Sequence, residues 1–262
     1  MCLLVVALDA HPDYRLVMVG HRDEFHARPA APLGWWADEP DILAGRDLAA
    51  GGTWLGIGRD GRVGVVTNVR GADALVAGAP SRGALVPGFL SAGTPAPDHA
   101  ATLTAGSAAY SGFNLLTFDG SCLSYVTNRP VAEAETLAAG LYGLSNARLD
   151  SPWPKVELAR QRVADVLAGG RVVPESLFAA IDDRQPAPDA ELPDTGIGLE
   201  WERLLSAPFI VSPDYGTRCT TLVLAGRDGG IRVEERRYSP SGETTGRTVI
   251  AFHTSRPGYL GG

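Results

Sequence analysis

Thr53-Trp54-Leu55-Gly56-Ile57-Gly58-Arg59-Asp60-Gly61-Arg62-Val63-Gly64-Val65-Val66-Thr67-Asn68 is the stretch that decides how this chain folds. Two apolar runs, Thr53 to Gly58 and Val63 to Asn68, flank Arg59-Asp60-Gly61-Arg62. Asp-Gly between apolar runs signals a tight β-hairpin. The same stretch contains Gly56-x-Gly58-x-x-Gly61, the spacing of a dinucleotide-binding loop. Such a loop must follow a strand and open a helix, so that the helix N-terminus meets the pyrophosphate. Here a strand flanks each side, so the context rejects nucleotide binding and makes the glycines part of a turn.

Working outward, the hairpin signal recurs. Asp119-Gly120 joins Phe113–Phe118 to Ser121–Thr127, and Asp228-Gly229 joins Cys219–Ala225 to Ile231–Tyr238. Arg247 to His253 adds a last strand. At the start of the chain, Cys2–Leu8 is a continuous apolar run and Arg15–Gly20 a second strand, joined through His11-Pro12-Asp13. His21 to Pro40, broken by several prolines, reads as irregular. Ser81–Ala92 and Asp98–Ser107 read as helices capped by Ser81 and Asp98. Pro154–Leu167 is the clearest helix, closed by Gly169-Gly170, and Pro174–Asp182 is shorter. Residues 183 to 199 read as an exposed loop and 256 to 262 as a frayed tail. Tight turns imply antiparallel strands, and strands and helices do not alternate, which argues against a parallel doubly wound sheet. The expectation is one α+β domain over residues 1–262.

Composition narrows the function. A chain of 262 residues can bury roughly 70–75% of its unfolded surface without staples. A net charge of −7 and the lack of any Lys/Arg cluster argue against a nucleic-acid partner. Of 23 basic residues only Lys155 is a lysine; together with the Ala and Gly content this reads as the codon bias of a GC-rich, bacterial genome, without functional weight. Three cysteines cannot build a disulfide framework, which suggests a reducing, cytoplasmic setting. The apolar start ends at Asp9, too short for a membrane span or a signal peptide. His21 and His26 lack the i, i+4 spacing of a zinc helix, and no metal or cofactor site is expected.

Cys2 carries the chemistry. Removal of Met1 would put a thiol and a free α-amine on one residue. An α-amine with a reference pKa near 8 can act as base for its own thiol, whose pKa is about 8.5. The competing reading is a small apolar residue at the start of a buried strand. If the first two strands pair, Arg22 and Asp23 come beside Cys2, where the arginine could stabilise a thiolate and the aspartate orient the amine. Otherwise His21-Arg22-Asp23-Glu24 is a solvated charged turn. Cys122 and Cys219 read as core residues. Phe25, Trp35, Trp36 and Trp54 could line a pocket or pack near turns.

These residues carry a resemblance. Met1-Cys2, His21-Arg22-Asp23-Glu24-Phe25, Arg28-Pro29 and Gly51-Gly-Thr-Trp-Leu-Gly56 resemble the NRDE family, that of the eukaryotic transport and Golgi organisation proteins. The likeness continues through Thr67-Asn68, Gly112-Phe-Asn114-Leu, Tyr142-Gly-Leu-Ser-Asn146-Ala, Ser151-Pro-Trp-Pro-Lys155 and Tyr215-Gly-Thr-Arg218. His21 stands where the family motif has Asn. The family in turn resembles N-terminal-nucleophile hydrolases of the choloylglycine hydrolase type. That implies a four-layer αββα sandwich of two antiparallel sheets and a catalytic set of Cys2, Arg22, Asp23, Asn68, Asn146 and Arg218. In it Cys2 attacks an amide, Asn68 stabilises the oxyanion, Asn146 orients the α-amine and the arginines set the field. The implied ligand is a small amide or acyl conjugate. The alternative that the resemblance implies is non-catalytic binding and trafficking of haem or of acyl-CoA and lipid, with Cys2 or His21 as candidate haem ligands.

Overall fold

The computed structural model describes residues 2–71 and 75–254. β1 (Cys2–Leu8) and β2 (Tyr14–Phe25) form the expected opening hairpin, with Cys2 opposite Arg22 and Leu8 opposite Leu16. Then follow β3 (Ala30–Trp35), β4 (Ile42–Asp47), β5 (Leu55–Gly58) and β6 (Val63–Asn68). Two helices, α1 (Leu85–Ala92) and α2 (Ala96–Gly106), precede β7 (Phe113–Phe118), β8 (Leu123–Thr127), β9 (Glu133–Leu137) and β10 (Gly140–Leu144). The remainder comprises α3 (Pro154–Ala168), α4 (Pro174–Ile181), α5 (Leu199–Leu204), β11 (Tyr215–Gly226), β12 (Gly230–Tyr238) and β13 (Thr244–His253).

The strands make two wholly antiparallel sheets, in the orders β10-β1-β2-β11-β12-β13 and β3-β4-β5-β6-β7-β8-β9. All three Asp-Gly turns hold their glycine at positive φ, 86° at Gly61, 93° at Gly120 and 85° at Gly229. That backbone conformation matches the twist of tight hairpins.

Side chains sort into three layers of core. Leu4, Val6, Leu16 and Met18 of one sheet meet Leu55, Val65, Leu116 and Tyr125 of the other. Leu3, Val5, Val17 and Val19 point the opposite way, onto Val156 and Val163 of α3 and Leu177 and Ile181 of α4. On the far side Val66, Phe113 and Val126 pack under Val86, Phe89 and Leu90 of α1 and Ala100 of α2. The result is the α+β, four-layer αββα sandwich of two antiparallel sheets. β1 is buried on both faces, which explains its unbroken apolar run.

Several elements differ from the sequence expectation. His21 to Pro40 is not irregular: β2 runs on to Phe25, and Ala30–Trp35 is a strand. The far end of β2 carries buried His21 and Asp23 and half-buried Arg22, and Arg22, Asp23 and Glu24 line a polar cavity, so apolar alternation fails there. β3 is an edge strand and tolerates Pro32. β4, β9, β10 and α5 were not expected. Ser81 caps a 3₁₀ turn, Arg82–Ala84, through Gly83 N–H at 3.2 Å. Asp98 is no N-cap: Pro95 precedes the first turn of α2, and Asp98 sits inside it, where a carboxylate still complements the helix dipole. Within 183–199 lies a 3₁₀ turn at Asp189–Glu191. The tail 256–262 lies outside the described residues.

Candidate functional site

A cavity of about 580 Å³ opens at the end of the sandwich where β1 begins, β2 and β6 end and β11 bulges. Cys2, Arg22, Asp23, Asn68 and Arg218 line it. Asn146 lies directly behind, buried, just past β10.

The hairpin register is what brings Arg22 beside Cys2. The backbone N of Cys2 donates to Asn146 Oδ1 at 3.4 Å. Asn146 Nδ2 donates to the Asn68 carbonyl at 2.9 Å and to Asn68 Oδ1 at 3.0 Å. Because Asn68 Oδ1 is an acceptor in this arrangement, its Nδ2 remains a donor at the cavity wall. Ser145 Oγ fixes the Cys2 carbonyl from the other side at 2.7 Å. Asp23 is buried, accepts Thr217 Oγ1 at 2.7 Å, and its carbonyl accepts Tyr215 O–H at 3.0 Å.

Arg218 occupies a bulge. Thr217 pairs with Asp23 and Cys219 with Arg22, leaving Arg218 as the extra residue. Bulges re-aim side chains, and here the guanidinium reaches the Phe25 and Arg28 carbonyls at 2.8 and 3.0 Å. Arg22 lies 3.7 Å from Asp47 and 3.9 Å from Glu24.

Electrostatics favour a neutral thiol in the unprocessed chain. Burial pushes the Cys2 thiol above its ordinary value and Asp23 adds to this, while Arg22 and the Asp23 backbone N–H pull the other way. Cys219 is not only a core residue. It lines the same cavity, and burial pushes its thiol up as well. Cys2 and Cys219 flank Arg22 on its two sides, two strand spacings or roughly 10 Å apart, too far for a disulfide. Trp54 lines the cavity; Trp35, Trp36 and Phe25 do not.

His21 is no candidate ligand. Its Nε2 donates to the Ile181 carbonyl at 2.9 Å and its Nδ1 lies 2.8 Å from Thr220 Oγ1, so both ring nitrogens are engaged. Burial holds it toward the neutral form. Among the described residues no group of three or more His, Cys, Asp or Glu is set to hold a metal. No helix among them is long and apolar enough to cross a membrane.

Sequence reasoning missed three contributors. Lys155, in the first turn of α3, is 2% exposed, and its Nζ has no hydrogen-bond partner among the described residues. Burial pulls its ammonium down to about 8, against the fields of Asp23 and Cys2 that hold the proton on. Nearby, Arg70 and Glu202 form a buried ion pair at 2.6 Å, with Arg70 over the Trp153 ring. Arg82 enters the cavity from the 3₁₀ turn before α1. The signal for Lys155 was in the composition, as the one lysine in an arginine-rich chain.

Residues 1–240 match the model of the family described as Transport and Golgi organisation 2. The chain is 34% identical to the Transport and Golgi organization protein 2 homolog of Bos taurus, over 95% of this chain and 97% of that one. It is 32% identical to the Homo sapiens homolog, over 90% and 92%, and 27% identical to the Drosophila melanogaster protein, over 93% and 95%. Among solved structures it is similar, with a TM-score of 0.47 and 11% identity over 85% of this chain and 92% of that chain, to the Caenorhabditis elegans N-acylethanolamine-hydrolyzing acid amidase (NAAA) ortholog. Extent and identity together make this chain a member of the Transport and Golgi organisation 2 family.

Proposed function

We propose that, once Met1 is removed, this protein is an N-terminal cysteine amidohydrolase acting on a small amide or acyl conjugate. The observation that carries the reading is the contact of the Cys2 backbone N with Asn146 Oδ1, which in turn is tied to Asn68 at the cavity wall. Without Met1 that N becomes an α-amine already held by an acceptor, with the thiol of the same residue at the cavity.

In this mechanism the Cys2 thiol proton passes to the α-amine as Sγ attacks the acyl carbonyl. The tetrahedral oxyanion accepts from Asn68 Nδ2. The α-ammonium returns its proton to the leaving amine, leaving a thioester on Sγ. Water, deprotonated by the α-amine, then hydrolyses the thioester and restores the thiol. Asp23, held by Thr217, favours the ammonium form during the attack. The Lys155 ammonium lies in the field of Asp23, which helps to hold its proton on.

The test is turnover of matched N-acyl amides by protein whose first residue is Cys2. Release of amine and acid, reduced by about 10³ or more in Cys2→Ala, is the expected result. Tight binding of acyl ligands without release of either product would contradict the enzyme and favour the trafficking alternative.

A further inference from the structure

The cavity carries a charge opposite to that of the chain. The protein as a whole is at −7. Six arginines line the cavity against four carboxylates. Four of the arginines make ion pairs with carboxylates: Arg28 with Asp47 at 2.6 Å, Arg22 with the same Asp47 at 3.7 Å, Arg46 with Asp38 at 2.5 Å and Arg237 with Glu235 at 3.3 Å. Arg82 and Arg218 are different. Among the described residues neither has a carboxylate oxygen within 4 Å, and their hydrogen bonds go only to backbone carbonyls: Gly112 for Arg82, Phe25 and Arg28 for Arg218.

Both are held in place. Arg82 sits in a turn capped by Ser81, and the Gly83 carbonyl of that turn accepts Thr53 N–H at 3.0 Å. Gly52 has no Cβ because one would collide with the Gly83 carbonyl. Arg218 is fixed by its bulge. Arg82 comes from the turn before α1 and Arg218 from strand β11, and both line the cavity that Cys2 lines. A guanidinium has five donors, and each of these uses a single N–H group, or one nitrogen, on carbonyls. The remaining donors suit the oxygens of a carboxylate or phosphate. Burial lowers both guanidinium groups from their ordinary value, against the opposing field of the Glu24 carboxylate, which makes no ion pair with either. An anionic ligand would supply a paired counter-charge.

We propose that Arg82 and Arg218 form an oxyanion-recognition subsite, so that the ligand of this cavity is an acyl conjugate bearing a carboxylate or a phosphate. The proposal rests on the hydrolase reading for the word acyl, but not for the charge.

Binding to Cys2→Ala protein, which cannot turn over, separates the two. The probes are two matched pairs: N-octanoylglycine against N-octanoylglycinamide, and O-phospho-N-octanoylethanolamine against N-octanoylethanolamine. The expected result is at least a tenfold preference for the charged member of one or both pairs, the larger ratio identifying carboxylate or phosphate as the source. That ratio should fall toward one in Arg82→Gln and Arg218→Gln and be partly kept in Arg82→Lys, with each variant's folding checked by its melting temperature. Equal affinity within both pairs, or a preference unchanged in both glutamine variants, would overturn the subsite. Charge preference without hydrolysis by Cys2 protein would leave the subsite standing and overturn the hydrolase reading.

Discussion

Lys155 is the residue whose environment is hardest to explain by packing. Twenty-two of the 23 basic side chains are arginine, and the single lysine is fully enclosed without a hydrogen-bond partner among the described residues. Lysine differs from arginine in that it can give up its proton. Its folded pKa of about 8 lies below the ordinary 10.5. The unfolded chain therefore binds more protons between pH 8 and 10.5, and stability rises with pH across that window. The penalty is fully present below pH 8 and gone above 10.5. Lys155→Met should remove this dependence: the stability of wild type relative to the variant should improve by about 3 kcal/mol from pH 8 to 10.5, measured by urea denaturation at several pH values. A flat difference would show that Lys155 is hydrated or paired. Asn68 gives a second prediction at this scale. Asn68→Asp keeps the acceptor that Asn146 uses but replaces the Nδ2 donor, so kcat should fall by about 10²–10³ with a smaller change in KM.

At the scale of elements, the site depends on how strands end. The bulge between Thr217 and Cys219 and the contact of Gly52 with the Gly83 turn each deliver one arginine. Gly52→Ala should push the 3₁₀ turn outward, cost about 1–3 kcal/mol and lower the charge preference of the cavity. Unchanged denaturation midpoint and preference would show that the turn does not position Arg82. These ends were also where sequence reading stopped. The central hairpins were legible because Asp-Gly turns and β-branched runs act locally. So was the juxtaposition of Cys2 with Arg22 and Asp23, since a hairpin's register follows from its turn. β3, β9 and the polar half of β2 were not, because edge strands and cavity-lining strands do not alternate in hydrophobicity. Arg82 and Lys155 were not legible as site residues because only the stacking of layers brings α1's leading turn and α3 to β1.

For the whole molecule, a polar seam ties the two sheets together at the site. Tyr125 O–H donates to Asn114 Oδ1 at 2.7 Å, and Asn114 Nδ2 donates to Thr67 Oγ1 at 3.2 Å and to the Ala147 carbonyl at 2.9 Å. Thr67 Oγ1 donates to the Ser145 carbonyl at 2.7 Å, and Ser145 Oγ to that of Cys2. The apolar core between the sheets supplies cohesion, and this chain of hydrogen bonds sets the sheets' relative position where Cys2 begins. Asn114→Leu should cost about 1–3 kcal/mol, read from the denaturation midpoint, and slow Cys2 acylation as well. Loss of stability without loss of reactivity would confine Asn114 to a packing role. Whether residue 2 works as residue 1 is read by intact mass spectrometry after reaction with a thiol-directed acylating probe. Cellular protein is expected to lack Met1 and to carry a single acyl adduct on Cys2, with none in Cys2→Ala. Catalytically active protein that retains Met1, or an adduct carried by Cys122 or Cys219 instead, would contradict this role of Cys2.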